Sequence, residues 1–207
     1  MRIFFDLDGP ILDVSKRYYK VFIDITGAGK ISKDIFWSFK REKKPWKNIF
    51  KQAGLNLNEK IFLRKWFSNI EKRKYLKLDT LQCTVKKVLA TLRKKNSLYL
   101  ISLRQSKSNL LWQLKYLGLD WYFDKVIYCK NTKNYGWLCK AKLIKQNLSS
   151  DEESIIIGDT EIDIRAAKLA KITSIAVLCG IREKKLLVKE KPDQIISDIR
   201  SLIKFIK

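Results

Sequence analysis

The stretch Ile3-Phe4-Phe5-Asp6-Leu7-Asp8-Gly9 decides how the rest of the chain reads. Three apolar residues of strand character run directly into two carboxylates, Asp6 and Asp8. In an extended strand these two acids share one face. Their repulsion is tolerable where a divalent cation, a proton or hydrogen bonds take up the charge. Gly9 then lets the chain turn without steric penalty. An Asp-x-Asp pair is common in solvated loops. At the end of an apolar strand it is a pattern suited to phosphoryl transfer, and its weight depends on what the other strand ends carry.

The 207 residues suit one domain, or a core with a modest insertion, and the 46% apolar fraction is ample for a buried core. The formal charge of +23 is compatible with an anionic ligand or with nucleic acid. No run of five Lys or Arg occurs, and the basic residues alternate with apolar ones, so scattered lysines on solvated helix faces are the simpler reading. Histidine is absent. That excludes Ser-His-Asp and Cys-His catalysis and any His-ligated metal, and leaves acid–base work to Asp, Glu, Lys, Tyr or Cys. Cys83, Cys129, Cys139 and Cys179 form no Cys-x-x-Cys pair and read as reduced, mostly structural thiols of a cytoplasmic protein. Asp6 and Asp8 interrupt the first apolar run, so no secretory leader is expected, and no apolar stretch reaches membrane-spanning length.

Residues 2–7, 98–103, 125–129, 154–157 and 174–178 are short and β-rich, with segments of helical periodicity between most of them. Leu110, Leu111, Leu114 and Leu117 mark one such helix, stopped by Gly118. Ala166, Ala167, Leu169 and Ala170 give another a face of small residues suited to close packing on a sheet. Alternating strands and helices predict an α/β fold, a doubly wound parallel sheet with helices on both faces and its ligand at the carboxyl ends of the strands. Residues 14–78 break this rhythm. They are rich in Lys, Phe and Trp, show helical spacing (Ile61, Phe62, Lys65, Trp66, Ile70) and are punctuated by Gly27, Gly29, Pro45 and Gly54. They read as a helical insertion after the first strand, leaving 1–13 and 79–207 as the core domain.

Other strand ends carry polar residues too. Ser102 follows Leu98-Tyr99-Leu100-Ile101. Gly158-Asp159-Thr160 follows Ile155-Ile156-Ile157, with Asp163 just beyond. A stretch bearing Lys133, Lys140 and Lys142 lies between them and leads into a helix. In a parallel sheet these ends converge on one crevice. Oxygen ligands without histidine suit Mg2+ rather than zinc.

These motifs, in this order, resemble the haloacid dehalogenase-like superfamily over nearly the whole chain. Residues 6–13 resemble its first motif, Ile101-Ser102 its second, and residues 158–167 its fourth with the alanine-rich helix that follows. The insertion at 14–78 falls where this family carries a C1-type cap. The resemblance implies a phosphatase that forms an aspartyl-phosphate. Asp6 would be the nucleophile. Asp8 would protonate the leaving oxygen and then deprotonate water. Mg2+ would be held by Asp6, the Asp8 carbonyl and Asp159, with Asp163 binding a metal-bound water or orienting the lysine. Ser102 and backbone N–H groups near Leu7, Asp8 and Leu103 would hold the phosphoryl oxygens.

The third motif needs one lysine reaching both the phosphate and Asp6, and Lys133, Lys140 and Lys142 compete for it. Lys140, at a helix start, is the choice, with Lys133 second. Pro10 stands where the family commonly has Thr, which removes a hydroxyl and a backbone donor but leaves the nucleophile untouched. Asp8 separates phosphatases and phosphomutases from the dehalogenase members, which lack an acid there.

The expected substrate is a small phosphorylated metabolite such as phosphoglycolate or a sugar phosphate. A nucleotide or nucleic-acid end phosphatase and a non-catalytic module on the same fold are the alternatives, and no membrane partner is expected. Trp37, Trp46 and Trp66 read first as core and second as pocket lining. Arg41, Lys43 and Lys44 read first as a wet helix face and second as a site for a substrate anion, Glu161 as an acid of the catalytic loop or of the solvated surface, and Arg104 as a side chain near the crevice and a candidate substrate contact.

Overall fold

The computed structural model describes residues 1–27, 30–82, 84–129, 135–150 and 152–206. Lys133, Gly29 and Cys83 lie outside them. The chain opens with β1 (Arg2–Phe5) and β2 (Leu12–Asp13). Five helices follow: α1 (Ser15–Thr26), α2 (Lys33–Arg41), α3 (Trp46–Gln52), α4 (Glu59–Asn69) and α5 (Arg73–Leu76). Then come β3 (Thr80–Leu81), α6 (Val85–Arg93), β4 (Ser97–Ser102), α7 (Lys107–Tyr116), β5 (Lys125–Tyr128), α8 (Gly136–Lys145), β6 (Ser154–Gly158) and α9 (Glu161–Ala170). The chain ends with β7 (Thr173–Val177), α10 (Lys184–Lys189), β8 (Gln194–Ile196) and α11 (Leu202–Phe205). No helix is long and apolar enough to cross a membrane among the described residues.

Six strands form one sheet in the order β5-β4-β1-β6-β7-β8, with every neighbouring pair parallel, while β2 and β3 form a separate two-stranded sheet. This is the expected α/β architecture. The edge strand β8 was not legible beforehand, because Gln194-Ile195-Ile196 is too short for an alternating pattern to register. The first strand occupies the centre. From it the chain runs outward through β4 and β5, then returns to β6 on the other side. The reversal falls beside β1, where open parallel sheets form their crevice. The register pairs Phe5 with Leu100 on one side and with Ile157 on the other, so Asp6, Ser102 and Asp159 all emerge near one edge.

Side-chain alternation decides which face each strand residue meets. Phe4, Ile101, Ile127 and Ile156 pack against Ala141 and Ile144 of α8 and against Ala166, Ala167 and Ala170 of α9. The small α9 residues let that helix pack closely on the sheet, as the alanine-rich pattern implied. Phe5, one position out of phase with Phe4, meets Phe123 edge-on at 6.3 Å. Asp6 shares the parity of Phe4 and so faces the side that carries α8.

The chain forms two compact units, Met1–Asp13 with Leu81–Lys207, and Val14–Thr80. The second unit has its own core, where Phe22, Phe36, Trp46, Phe62 and Trp66 meet in tilted and edge-on contacts. Trp37 stands edge-on to Tyr18. All three tryptophans of interest therefore serve packing in this unit. Lys40 lies over the Trp46 ring at 4.0 Å, and Lys44 pairs with Glu42 at 3.2 Å. Arg17 and Asp79 form a buried ion pair at 3.0 Å that joins the two ends of the unit's chain.

The expectation of free thiols needs correction. Cys129, just past β5, and Cys139, in α8, are joined as a disulfide, with Cα atoms 6.5 Å apart. A strand-to-helix excursion of ten residues brings them together, and no local Cys-x-x-Cys spacing signals such a pairing. Cys179 carries a thiol directed at the Gly9 carbonyl.

Beyond the central strands, Asp193 ties down the start of β7. Its carboxylate accepts bonds from the Ser174 N–H and hydroxyl, both at 2.7 Å, and these bonds hold its pKa below the ordinary value of 3.8. A depressed pKa stabilises the fold above pH ~4, and that contribution fades as pH falls through the lowered value. Asp193→Asn should therefore lower unfolding free energy by about 1 kcal/mol at pH 7, after allowance for solvent screening, and by much less near pH 3. Urea unfolding at the two pH values is the check.

Candidate functional site

The backbone of Asp6 continues the ladder beyond β1, its N–H donating to Ile157 O at 2.9 Å. The chain then turns. Leu12 N–H and Ile11 N–H both reach back to Leu7 O, and Gly9 adopts φ 109°, a conformation that favours glycine. Gln82 pins the turn from outside, donating to the carbonyls of Gly9 and Cys179 at 3.0 and 3.1 Å.

Lys140, in the first half of α8, is buried and reaches two acids, Asp6 Oδ1 at 2.9 Å and Asp163 Oδ1 at 2.6 Å. Lys142, two residues on, is exposed and lines a surface cavity with Leu138 and Lys145. Asp163 also serves as a helix cap. Its second oxygen accepts from the Thr160 N–H at 3.1 Å and hydroxyl at 2.8 Å, closing the first turn of α9. The strand-to-helix turn after β6 thus aims Asp159 and Asp163 at the end of β1.

Asp159 is fully buried, and its Oδ2 accepts the Ile181 N–H. Its Oδ1 is buried with no hydrogen-bond partner among the described residues. Asp6, Asp159 and Asp163 each offer an oxygen within 4.8 Å of the others. An orphaned buried carboxylate oxygen beside two more carboxylates fits a divalent cation bound by hard oxygen donors. Asp8 contributes no side-chain oxygen to this group, because both its oxygens engage Arg104, Nε to Oδ2 at 3.2 Å and Nη2 to Oδ1 at 2.6 Å.

The electrostatics agree with that fit. Burial pushes Asp6 up to about 7, with Asp163 and Asp8 adding to the rise and Lys140 opposing it. Burial, then Asp163 and Asp6, likewise raise Asp159 well above the carboxylate range. Burial alone would lower Lys140, but Asp163 and Asp6 outweigh it and hold the ammonium above its ordinary value. One lysine therefore leaves surplus negative charge among three acids. A divalent cation would restore the ionised forms of Asp6 and Asp159.

Ser102 is buried at the end of β4, its Oγ accepting from the Arg104 N–H at 3.3 Å, and Leu103 is half-buried beside it. Glu161 pairs with Arg182 at 2.9 Å instead of standing free in solvent. Gln82, Gln113, Gly180 and Arg182 belong to no motif of the sequence. Of these only Gly180 carried a signal, as a glycine just past the β7 strand end. A Cβ on Gly9 or Gly180 would overlap the Asp159 carboxylate, so backbone lies directly against the acid from both sides.

The paired acids that end the central strand thus meet a lysine of α8 and two further acids, Asp159 just past β6 and Asp163 in the first turn of α9. Residues 3–177 match the family model for haloacid dehalogenase-like hydrolase. The chain belongs to that family and is an enzyme of the phosphatase type. It is 28% identical over 222 residues to a protein of Caldanaerobacter subterraneus subsp. tengcongensis provisionally called pyrophosphatase PpaX, covering 99% of this chain and 94% of that one. A haloacid dehalogenase-like family protein from Streptococcus pneumoniae has the same fold, with a TM-score of 0.78 at 23% identity, covering 100% of this chain and 98% of that one. So does a protein from Haemophilus somnus 129pt described as a predicted phosphoglycolate phosphatase, with a TM-score of 0.69 at 20% identity and coverage of 100% and 97%.

Gly180→Ala should displace the Asp159 carboxylate and weaken divalent-cation affinity at least about tenfold. Calorimetric titration of the folded variant with Mg2+ tests this, and unchanged affinity would place the cation elsewhere.

Proposed function

We propose that this enzyme is a Mg2+-dependent phosphatase of small phosphorylated metabolites that works through an aspartyl-phosphate on Asp6. The observation that carries the reading is the buried Lys140 ammonium shared between Asp6 and Asp163, with the orphaned Asp159 oxygen alongside. Such a site has no need of three close carboxylates unless charge on a ligand and a cation are part of its work.

Asp6, Asp159 and the Asp8 carbonyl would hold the cation, which supplies charge neutralisation for a bound phosphoryl group. Lys140 holds Asp6 in place and adds a positive charge beside the incoming phosphate. In the first half-reaction an Asp6 oxygen bonds to phosphorus, the bond from phosphorus to the leaving oxygen breaks, and Asp8 donates a proton to that oxygen. In the second, Asp8 takes a proton from water, whose oxygen bonds to phosphorus as the Asp6–phosphorus bond breaks. Ser102 and the Leu103 N–H are assigned to the phosphoryl oxygens.

The helical unit Val14–Thr80 is assigned as the C1-type cap that selects substrate, on the strength of its place in the chain between β2 and β3. A small metabolite as substrate follows from that assignment, phosphoglycolate or a sugar phosphate being the type. We place the enzyme in the cytoplasm, where the Cys129–Cys139 pair would meet reducing conditions.

The test is a panel of phosphate esters with and without Mg2+. Turnover should need the cation. Asp6→Asn should lower kcat at least about a thousandfold, and Lys140→Ala about a hundredfold or more. Full activity in either folded variant would refute that residue's role. Retention of a radiolabelled phosphoryl group on acid-quenched enzyme, lost in Asp6→Asn, would identify the covalent species.

A further inference from the structure

Among the described residues, Asp159 is held by backbone. Its Oδ2 accepts the Ile181 N–H, and its carboxylate lies between the backbones of Gly9 and Gly180, so close that a Cβ on either would overlap it. These two walls come from opposite ends of the chain. Gly9 belongs to the turn after β1, held at φ 109° with its N–H donating to Leu12 O at 2.9 Å. Gly180 lies in the loop that follows β7, next to Cys179.

One amide ties the walls together. Gln82 Nε2 donates to the Gly9 carbonyl at 3.0 Å and to the Cys179 carbonyl at 3.1 Å, so each of its two protons serves a different wall. The Gln82 backbone is itself fixed. Its N–H donates to Ile11 O at 2.8 Å, and its carbonyl accepts the Val85 N–H at 3.3 Å where α6 begins. The Cys179 thiol also reaches the Gly9 carbonyl, but as a weak donor at 3.7 Å. With both walls in contact and Oδ2 committed to Ile181, the spacing of the walls decides where Oδ1 points. That is the buried oxygen which accepts no hydrogen bond among the described residues.

We propose that Gln82 is a positioning residue for the cation site: its amide clasps the Gly9 and Cys179–Gly180 backbones around Asp159 and so aims that carboxylate at the cation. Gln82 acts through backbone and supplies no ligand of its own. The inference rests on the reading of Asp6, Asp159 and Asp163 as a divalent-cation site, and adds to it a residue from outside the strand-end motifs.

Gln82→Met keeps the length of the side chain and removes both donated protons. Calorimetric titration of the folded variant with Mg2+ should show affinity about tenfold below wild type, and the rise in thermal midpoint on adding Mg2+ should shrink with it. A residue that only supports the fold would lower the midpoint equally with and without Mg2+ and leave the affinity unchanged, and that result overturns the proposal.

Coupling to Gly180→Ala gives a second reading. In that variant the new methyl presses on Asp159 from a wall the clasp holds in place. Releasing the clasp lets the wall retreat, so in the Gly180→Ala background Gln82→Met should weaken Mg2+ binding by no more than about twofold. A full second loss, as independent sites would give, overturns the clasp. Should Gln82→Met fail to fold, Gln82→Asn replaces it. One methylene shorter, its amide reaches one carbonyl and loses the other, so Mg2+ affinity should fall at least about threefold, and wild-type affinity counts against the proposal.

Asp159→Asn separates the two levels. If it binds Mg2+ like the wild type, or the wild type binds none, the cation reading fails and the role of Gln82 falls with it. Loss of binding in Asp159→Asn beside unchanged affinity in Gln82→Met rejects only the role of Gln82.

Discussion

One ammonium group set against three close carboxylates, two of them buried, is the constraint on which the site depends. Lys140 satisfies Asp6 and Asp163 at 2.9 and 2.6 Å, and Asp159 is left with a buried oxygen that accepts no hydrogen bond among the described residues. A fold does not hold such a surplus of like charge without something rigid behind it. Here the rigidity comes from three parallel strands ending together, from the Thr160–Asp163 cap that starts α9, and from glycine backbone packed against Asp159. The acids cannot swing apart, so the charge imbalance is available to a bound cation and its ligand.

A second cation handles the other end of the site. Arg104 engages Asp8 as Lys140 engages Asp6, so each of the two leading acids has its own positive partner, one from the β4–α7 connection and one from α8. The two partners differ in kind. Lysine supplies a compact charge, whereas the arginine fork recognises planar oxyanions by shape.

Much of this was legible before any coordinates. The parallel sheet followed from alternating β-rich and helical segments, and Asp6, Ser102 and Asp159 follow runs of apolar residues whose strand character is local. Local too are the Thr160–Asp163 spacing and the alanine face of α9. The identity of the lysine was not local. Lys140 and Lys142 lie in the same helix, and only the rotation of α8 against β1 buries the first and exposes the second. The Cys129–Cys139 bond, the Glu161–Arg182 pair and the Gln113–Arg104–Asp8 hydrogen bonds escaped notice for a similar reason, since each joins elements that only the folded chain brings together.

What the sequence determined by itself was the architecture and the set of acids at its strand ends. Strand period, helix period and turn chemistry act over a few residues and leave direct traces in residue order. What the tertiary structure decided was which charges meet. Ion pairs and buried amides are settled by helix rotation and strand register, to within an ångström or two, between segments as far apart as Asp6 and Lys140. No short-range pattern encodes a distance of that kind, so the partner of each acid became known only when the sheet closed around it.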